Sequence, residues 1–241
     1  MPWQPMDPAR VRAIFASIVP RYDLMNTVMT FGTHKVLKRL MARIAVQGSR
    51  VSGLALDVGC GTGDVALYLL KRNRTLRVVG VDPVRPMLER AVQKAQRAGV
   101  AQRFMPLLGD GMALPFSDGV FGACACAFVL RNTADPLAVL REMKRVLAPG
   151  GYLVVLELCG HESSIAERVF GFYVRRVVPL LGRLVTGNPE AYAYLAFSTE
   201  GFPTPRGLAR WVQEIGVGPV RLWQPSPSIA LIWARRMEGA T

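Results

Sequence analysis

The chain has 241 residues, of which 51% are hydrophobic, and this suits one α/β domain of ordinary size. The longest uninterrupted apolar run, 120–130, is too short to cross a bilayer, and the first residues show no signal-peptide pattern, so we expect a cytoplasmic protein. The net charge of +13 indicates either an anionic surface nearby, nucleic acid or acidic lipid headgroups, or a bias of the source proteome.

The cysteines and histidines show neither a zinc-binding spacing nor a disulfide framework, so we predict no metal site. Cys124 and Cys126 point the same way from one predicted strand, which is typical of core residues. His34 is predicted to be exposed on a basic helix, and His161 follows a strand end. We therefore expect neither histidine to be catalytic.

The N-terminal region is predicted to be helical. Asp7 and Pro8 form a helix start, and apolar residues follow at helical spacing through Ile18. A second helix begins after Thr33. Its predicted inward residues are Val36, Leu37, Leu40, Met41 and Ile44, and its predicted outward residues are Lys35, Lys38, Arg39 and Arg43.

The middle of the chain alternates strands and helices. The predicted strands are 53–58, 77–82, 103–109, 121–128 and 152–158, and the clearest predicted helices are 83–98 and 136–147. Because the strands are apolar throughout, they indicate a mostly parallel, doubly wound α/β sheet covered on both faces.

The C-terminal region is predicted to contain helices over 164–185 and from Thr204-Pro205 to Ile215. Two strands, 220–224 and 229–234, then form a hairpin-like end with an antiparallel strand. We expect a single domain over 1–241. It comprises N-terminal helices (1–50), a cofactor-binding core (51–160), and a substrate lid with the C-terminal strands (161–241).

A glycine-rich turn after the first strand predicts a cofactor site. Gly59, Gly61 and Gly63 allow a ligand to lie against bare backbone, at the strand ends where open α/β sheets bind ligands. A pyrophosphate-binding loop has another glycine at the sixth position. Asp64 stands there and its carboxylate repels a diphosphate, so the loop favours a different cofactor.

Four carboxylates at or beside strand ends indicate which cofactor this is. Asp57 and Asp64 frame the glycine loop, which suits a ligand that carries an ammonium and a sulfonium group. Asp82 is placed to accept both ribose hydroxyls, and Asp110 to accept the adenine amino group. The set predicts S-adenosylmethionine.

The chain resembles the ubiquinone/menaquinone-biosynthesis C-methyltransferases, the UbiE family, over nearly its full length. The segments that carry the resemblance are Phe15-Ala16-Ser17-Ile18, Arg21-Tyr22-Asp23-Leu24-Met25-Asn26, Phe31-Gly32, Gly61-Thr62-Gly63-Asp64, Leu114-Pro115-Phe116, Leu130-Arg131-Asn132, 142–147 with Pro149-Gly150-Gly151, Tyr192-Ala193-Tyr194-Leu195 and Phe202-Pro203. The Arg-Tyr-Asp-Leu-Met-Asn and Leu-Arg-Asn segments are the most specific. The resemblance implies a Rossmann-like class I methyltransferase fold with a seven-stranded sheet.

The resemblance also implies the reaction, in which a methyl group moves from S-adenosylmethionine to a ring carbon of a prenylated benzoquinol or naphthoquinol. Demethylmenaquinol is the acceptor we expect. Cofactor contacts carried over from the family fall on Thr62, Asp82, Asp110 and Gly111, and a family serine is Ala127 here. The other departures on the presumed substrate side are Val129, which replaces a glycine and is predicted to narrow the pocket wall, and Phe197, which replaces a glutamate.

The family's catalytic candidates are Tyr22, Arg131 and Asn132. Arginine stays protonated and is a poor base, so we expect Arg131 to hold a proton-accepting water and to stabilise phenolate charge. Asn132 is expected to fix that water or a quinone oxygen. The structural alternatives are a capping or carboxylate-paired arginine and a core tyrosine.

A prenylated quinol is hydrophobic and dissolves in lipid, which suggests that the enzyme contacts a membrane. Residues 165–185 combine aromatic and aliphatic residues with arginines, as in an amphipathic helix on anionic lipid, and a lid over the site is the alternative. Two other functions stay open: a methyltransferase of the same fold acting on another lipid or aromatic molecule, and a nucleic-acid-binding protein. The basic residues are dispersed, so we expect no nucleic acid. A homodimer is left open.

Overall fold

The computed structural model describes residues 5–47, 53–160, 172, 176–178, 180–182, 194, 197–199 and 201–237. Seven strands in this part of the chain form one sheet in the order β3-β2-β1-β4-β5-β7-β6. The strands are β1 (Leu54–Val58), β2 (Arg77–Asp82), β3 (Phe104–Leu108), β4 (Phe121–Ala127), β5 (Leu147–Leu158), β6 (Val220–Ser226) and β7 (Ile229–Arg235). β1 to β5 pair in parallel, and β7 lies antiparallel between β5 and β6, so the predicted sheet is confirmed.

Helices cover both faces of the sheet, as the apolar strands predict. The described helices of eight residues or more are α1 (Pro8–Ile18), α2 (Tyr22–Thr30), α3 (Thr33–Ala45), α4 (Asp64–Arg72), α5 (Arg85–Arg97), α6 (Pro136–Val146) and α7 (Pro205–Glu214). One core lies between the sheet and α6 and α7, and it includes Cys124 and Cys126, as expected. The second core lies between the other face and α3, α4 and α5.

Three helices begin at capping residues that the sequence reveals. The side chains of Asp7, Asp135 and Thr204 accept hydrogen bonds from backbone N–H groups in the first turns of α1, α6 and α7. Each cap is followed by a proline, whose fixed φ suits the first helical position. These three starts therefore agree with the sequence because cap and helix are neighbours in the chain.

The N-terminal helices differ from the sequence-based expectation in two ways. A separate helix, α2, precedes α3, and the two are joined by Phe31 and Gly32 in the left-handed region at φ 48° and 76°. The buried face of α3 is also rotated. Val36 is 61% exposed, whereas His34 and Lys38, both expected outside, are buried.

The fifth strand begins earlier than predicted. The Pro149-Gly150-Gly151 run was expected to be a turn before a strand at Tyr152, but β5 already starts at Leu147. The N–H of Gly150 donates to the Arg236 carbonyl, and the N–H of Arg236 donates to the Gly151 carbonyl. These bonds, which join the run to the end of β7, draw it into the sheet.

Most of the predicted helix over 164–185 lies outside the described residues. In the described part of the chain, no helix is long and apolar enough to span a membrane. The same residues contain no group of three or more potential metal ligands.

Candidate active site

A cavity of about 110 Å³ lies at the carboxyl ends of the parallel strands. Its floor is formed by Val58 of β1 and Val81 of β2, followed by the glycine loop. Its roof comes from the N-terminal helices. The roof residues are Val11, Arg12, Phe15 and Tyr22. This is the edge of the sheet at which the sequence predicts the cofactor.

The backbone of the glycine loop allows other groups to approach it closely. Gly59, Gly61 and Gly63 have φ values of 62°, 52° and 82°, which L side chains rarely adopt. A Cβ atom on Gly59 would lie 2.4 Å from the Val129 side chain. Gly59, Gly61 and Val129 all line the cavity, and that Val129 narrows its wall stays a prediction.

Asp82, at the end of β2, lines the cavity and is only 7% exposed. Its Oδ2 accepts the N–H of Gly61 at 2.7 Å, and its Oδ1 accepts the N–H of Val84 at 2.9 Å. Burial raises the pKa of this carboxyl to about 6, although both N–H groups oppose the shift. Each oxygen keeps a lone pair, so the group fits a ribose diol that donates two hydrogen bonds.

Asp110 and Gly111 follow β3 and line the same cavity. The Asp110 carboxylate accepts the backbone N–H of Met112 at 2.9 Å, which fixes the turn. A Cβ atom on Gly111 would lie 2.8 Å from the Val58 side chain, so glycine lets the turn lie against β1. Both residues are therefore on the cavity wall, where an adenine ring is expected.

Asp57 is buried within β1 and does not line the cavity. Its Oδ2 accepts the N–H of Ala66 in the first turn of α4 at 3.0 Å. Burial raises the pKa of the carboxyl to about 7, with the hydrogen bond acting in the opposite direction. Asp57 is thus tied to the start of α4 and stands outside the cavity lining.

Asp64 and Thr62 do not face the cavity. The Asp64 carboxylate pairs with Lys94 at 2.6 Å and with Lys38 at 3.1 Å. Burial alone would raise the pKa of Asp64, but the two lysines outweigh it and hold the pKa well below its usual range. The expectation that Asp64 attracts a cationic cofactor is therefore wrong, because two ammonium groups already neutralise it.

Two of the three catalytic candidates line the cavity. Tyr22, at the start of α2, stacks edge-on against Phe15 with ring centroids 6.2 Å apart. Asn132, in the short 3-10 turn Leu130–Asn132, donates from Nδ2 to the Phe128 carbonyl at 3.0 Å. Phe128 itself has φ 61°, a strained value of the kind that often marks functional sites.

Arg131 lies behind this wall. It is 8% exposed, it does not line the cavity, and its Nη1 donates to Oε1 of Glu157 in a buried ion pair. Glu157 is in β5 and is fully buried, and burial raises the pKa of its carboxyl although Arg131 opposes the shift. The carboxylate-paired arginine, which the sequence left as the structural alternative, is what the structure contains.

Three polar atoms of this ion pair and the neighbouring Asn132 have no hydrogen-bond partner among the described residues. They are Nε of Arg131, Oδ1 of Asn132 and Oε2 of Glu157, and all three are buried. Buried polar groups are nearly always satisfied, so unpaired ones mark a place where a water or a ligand belongs. Asn132 also lines the cavity, so these unpaired atoms lie next to the cavity wall.

Sequence reasoning missed Glu157, Asp23 and Lys94. Glu157 was detectable, because it is the one acidic residue within an apolar strand, and a buried carboxylate requires a partner. Asp23 and Lys94 pair at 3.0 Å although they are 71 residues apart. No local pattern reveals such a pair.

Ala127, at the end of β4, lines the cavity where the resembling family has a serine. Its methyl group offers no hydrogen bond, so we expect cofactor binding to be weaker by about 0.5–1.5 kcal/mol than with a serine at this position.

Comparisons with known proteins agree with this architecture. The model of the ubiE/COQ5 methyltransferase family matches residues 4–233. A demethylmenaquinone methyltransferase of Thermus thermophilus is 42% identical, over 84% of this chain and 90% of its own. A ubiquinone/menaquinone biosynthesis C-methyltransferase UbiE of Roseobacter denitrificans is 32% identical, over 92% of this chain and 88% of its own.

Solved structures confirm the fold. A SAM-dependent methyltransferase from Aquifex aeolicus superimposes with a TM-score of 0.59 at 20% identity, covering 96% of this chain and all of its own. The [4+2]-cyclase SpnF reaches 0.65 at 18% identity, covering 99% of this chain and all of its own. At such identities the likeness concerns the fold, and the activity rests on the family. The chain belongs to the ubiE/COQ5 methyltransferase family and is an enzyme that uses S-adenosylmethionine as its methyl donor.

Proposed function

We propose that this methyltransferase methylates a ring carbon of demethylmenaquinol. The observation that carries the proposal is that one cavity is lined both by Asp82 with the glycine loop and by Tyr22 and Asn132. The relatives named demethylmenaquinone methyltransferase, at 42% and 43% identity, support a naphthoquinol acceptor. The aromatic and aliphatic walls, which include Phe15, Phe128 and Val139, suit a ring with an apolar tail.

We assign the adenosine end of the cofactor to three residues. Asp82 accepts hydrogen bonds from the ribose hydroxyls, and Asp110 with Gly111 borders the adenine. The bare backbone of Gly59 and Gly61 lies against the methionine part, and Ala127 lies at its side. Asp57 contributes negative charge from beneath the loop. Thr62, which is only 2% exposed, acts from behind the cavity through Asp23.

When bound, the cofactor supplies an electrophilic methyl group, and the protein prepares the nucleophilic carbon. Asn132 lines the cavity, and its buried Oδ1, which has no partner among the described residues, would turn toward a quinol hydroxyl and accept its hydrogen, which raises electron density in the ring. The Tyr22 hydroxyl donates to a ring oxygen and holds the ring in line. Positioning of this kind contributes several kcal/mol to catalysis.

Arg131 is a positioning residue in this scheme. A guanidinium already paired with Glu157 contributes little net charge to the phenolate, so it holds the 3-10 turn and thereby Asn132. Its Nε and Oε2 of Glu157, which have no partner among the described residues, would hold a water that carries the hydroxyl proton away.

An acceptor panel tests the proposal. Purified enzyme is incubated with labelled S-adenosylmethionine and reduced demethylated naphthoquinols or benzoquinols of several tail lengths. We expect label on a ring carbon of the naphthoquinol, with a kcat/KM at least tenfold above that for the benzoquinol. Equal or better use of the benzoquinol would contradict the naphthoquinol assignment.

A second candidate is a methyltransferase that acts on another lipid or aromatic molecule. Val129, which stands against Gly59 on the cavity wall where the family has glycine, favours a changed acceptor. Methylation of a different compound in the same assay, with every quinol inert, would support this candidate.

We also propose that the enzyme acts at an anionic membrane surface, where its acceptor dissolves. The net charge of +13 and the exposed apolar residues Leu24, Phe31 and Val36, which lie on and between α2 and α3, support this. Leu24 lies on α2, and Phe31 caps its C-terminal end. The segment 165–185 lies mostly outside the described residues.

A further inference from the structure

Four charged side chains and one hydroxyl form a cluster behind the glycine loop. They come from four helices and the loop itself: Asp23 of α2, Lys38 of α3, Thr62 of the loop, Asp64 of α4 and Lys94 of α5. Their side chains are largely shielded, with Lys94 18% exposed and Asp23 34% exposed. Because water reaches these side chains poorly, the opposite charges of the cluster stabilise one another.

Lys94 is the centre of the cluster. Its Nζ donates to Oδ2 of Asp23 at 3.0 Å, to Oγ1 of Thr62 at 3.0 Å and to Oδ1 of Asp64 at 2.6 Å. Thr62 in turn donates to Oδ1 of Asp23 at 2.6 Å. All three hydrogens of the ammonium group are thus used, and Asp23, Thr62 and Lys94 form a closed ring.

The ring joins the roof of the cavity to its glycine loop. Asp23 directly follows Tyr22, which lines the cavity from the roof, and Thr62 directly follows Gly61, which lines it from the loop. Lys94 also stands on α5, which contacts α1, the other roof helix. A shift of the roof away from the loop therefore has to break the ring.

The cavity under this roof is small. Its volume of about 110 Å³ lies below the roughly 300–1,000 Å³ typical of small-molecule sites. A movement of the roof that widens the cavity for the cofactor would strain the ring, because the ring is the polar contact between roof and loop.

We propose that Lys94, with Asp23, forms a latch that closes the N-terminal helices over the bound cofactor. Neither residue touches the reaction. Lys94 is a positioning residue, which slows the departure of the cofactor and brings Tyr22 over the glycine loop. The inference rests on the assignment of this cavity as the cofactor site.

Stopped-flow and calorimetric measurements of S-adenosylmethionine binding test the latch. Lys94→Met keeps the aliphatic stem and removes the charge, and Asp23→Asn keeps an acceptor for Thr62 but loses the ion pair. We expect both to speed cofactor dissociation and to raise the KM for the cofactor by about 5–30-fold, which is 1–2 kcal/mol. At saturating cofactor, kcat should fall less than threefold.

Three further variants separate the latch from a merely structural role. Lys94→Arg keeps the charge and should restore the dissociation rate to within about threefold of the wild type. Asp118→Asn breaks the Arg145 ion pair outside the cavity and should leave cofactor dissociation unchanged. Asp82→Asn tests whether this cavity is the cofactor site.

The latch is refuted if Lys94→Met and Asp23→Asn bind and release the cofactor like the wild type while Asp82→Asn binds weakly. A loss of thermal stability in both variants with an unchanged dissociation rate would also refute it, since the ring would then be a fold-stabilising contact only. If Asp82→Asn also binds normally, the cavity assignment fails instead.

Discussion

Asp82, whose buried carboxylate lines the cavity, is the residue on which we expect ligand binding to depend most. Asp82 is engaged by two backbone N–H groups and is expected to take two ribose hydroxyls as well. Asp82→Asn should weaken S-adenosylmethionine binding by about 1.5–3 kcal/mol, because charge-assisted hydrogen bonds are lost. Calorimetry measures this, and unchanged affinity would contradict the role of Asp82.

The pH dependence gives an independent test of the same residue. The pKa of Asp82 is raised to about 6, so the carboxyl becomes protonated below that pH and loses acceptor strength. The cofactor affinity of the wild type should therefore fall as the pH drops from 7 to 5. Asp82→Asn has no such group, and its weaker affinity should stay flat over this range.

Asp57 should affect stability as well as binding. Its pKa is about 7 in the folded protein and near 3.8 unfolded, so the folded state is penalised increasingly as the pH rises from 4 to 7. Asp57→Asn should raise the free energy of unfolding by up to about 4 kcal/mol at pH 8, at roughly 1.4 kcal/mol per pKa unit, and hardly at pH 4. Denaturant unfolding at both pH values checks this, and a stability gain that does not grow with pH would contradict it.

The Arg131–Glu157 pair calls for a double-mutant cycle. Glu157→Gln leaves a buried guanidinium without its counter-charge, and such losses cost about 3–5 kcal/mol. Adding Arg131→Met should recover much of that stability, since no lone charge remains. Turnover should stay low in both variants because the turn that carries Asn132 has lost its support. Additive stability losses would show that the two residues are not coupled.

At the scale of elements, the junction of α2 and α3 is unfavourable for stability in two respects. Phe31 has φ 48° and is 87% exposed, so it is strained and buries little apolar surface. Phe31→Asn should raise the free energy of unfolding by about 0.5–1 kcal/mol, because asparagine tolerates the left-handed region. Thermal unfolding checks this, and destabilisation would mean that Phe31 packs in a way that its exposure does not reveal.

For the whole molecule, charge and exposed apolar residues together predict how it meets lipid. The protein should sediment with vesicles that contain anionic lipid and dissociate as salt rises, because exposed charges are screened within about 10 Å at 0.1 M. Phe31→Asn should reduce sedimentation several-fold. Trp223→Ser, which removes an exposed aromatic from the edge strand β6, is the matched control and should not. Equal binding to neutral vesicles would contradict the electrostatic part.

Features that depend on neighbouring residues could be predicted from the amino-acid order alone. Asp135 and Thr204, each followed by proline, mark helix starts, and the glycines at 59, 61 and 63 mark the ligand-binding turn. The alternation of apolar strands and helices gave the doubly wound sheet. Asp82 and Asp110 are predicted because ligand-binding residues follow strand ends, and Gly111 is implied by the family resemblance; all three line the cavity.

The pairing of charges, in contrast, depends on contacts between residues that are distant in the chain. Arg131 meets Glu157 26 residues away, Lys38 meets Asp64 26 residues away, and Lys94 meets Asp23 across 71 residues. A lysine on a predicted helix is expected to be exposed. Its burial becomes favourable only when a carboxylate on another element pairs with it. For the same reason the sequence predicts Lys38 outside and Asp64 at the cofactor, whereas the two residues pair with each other. Which charges remain free to act on a ligand depends on contacts that form only when the chain is folded.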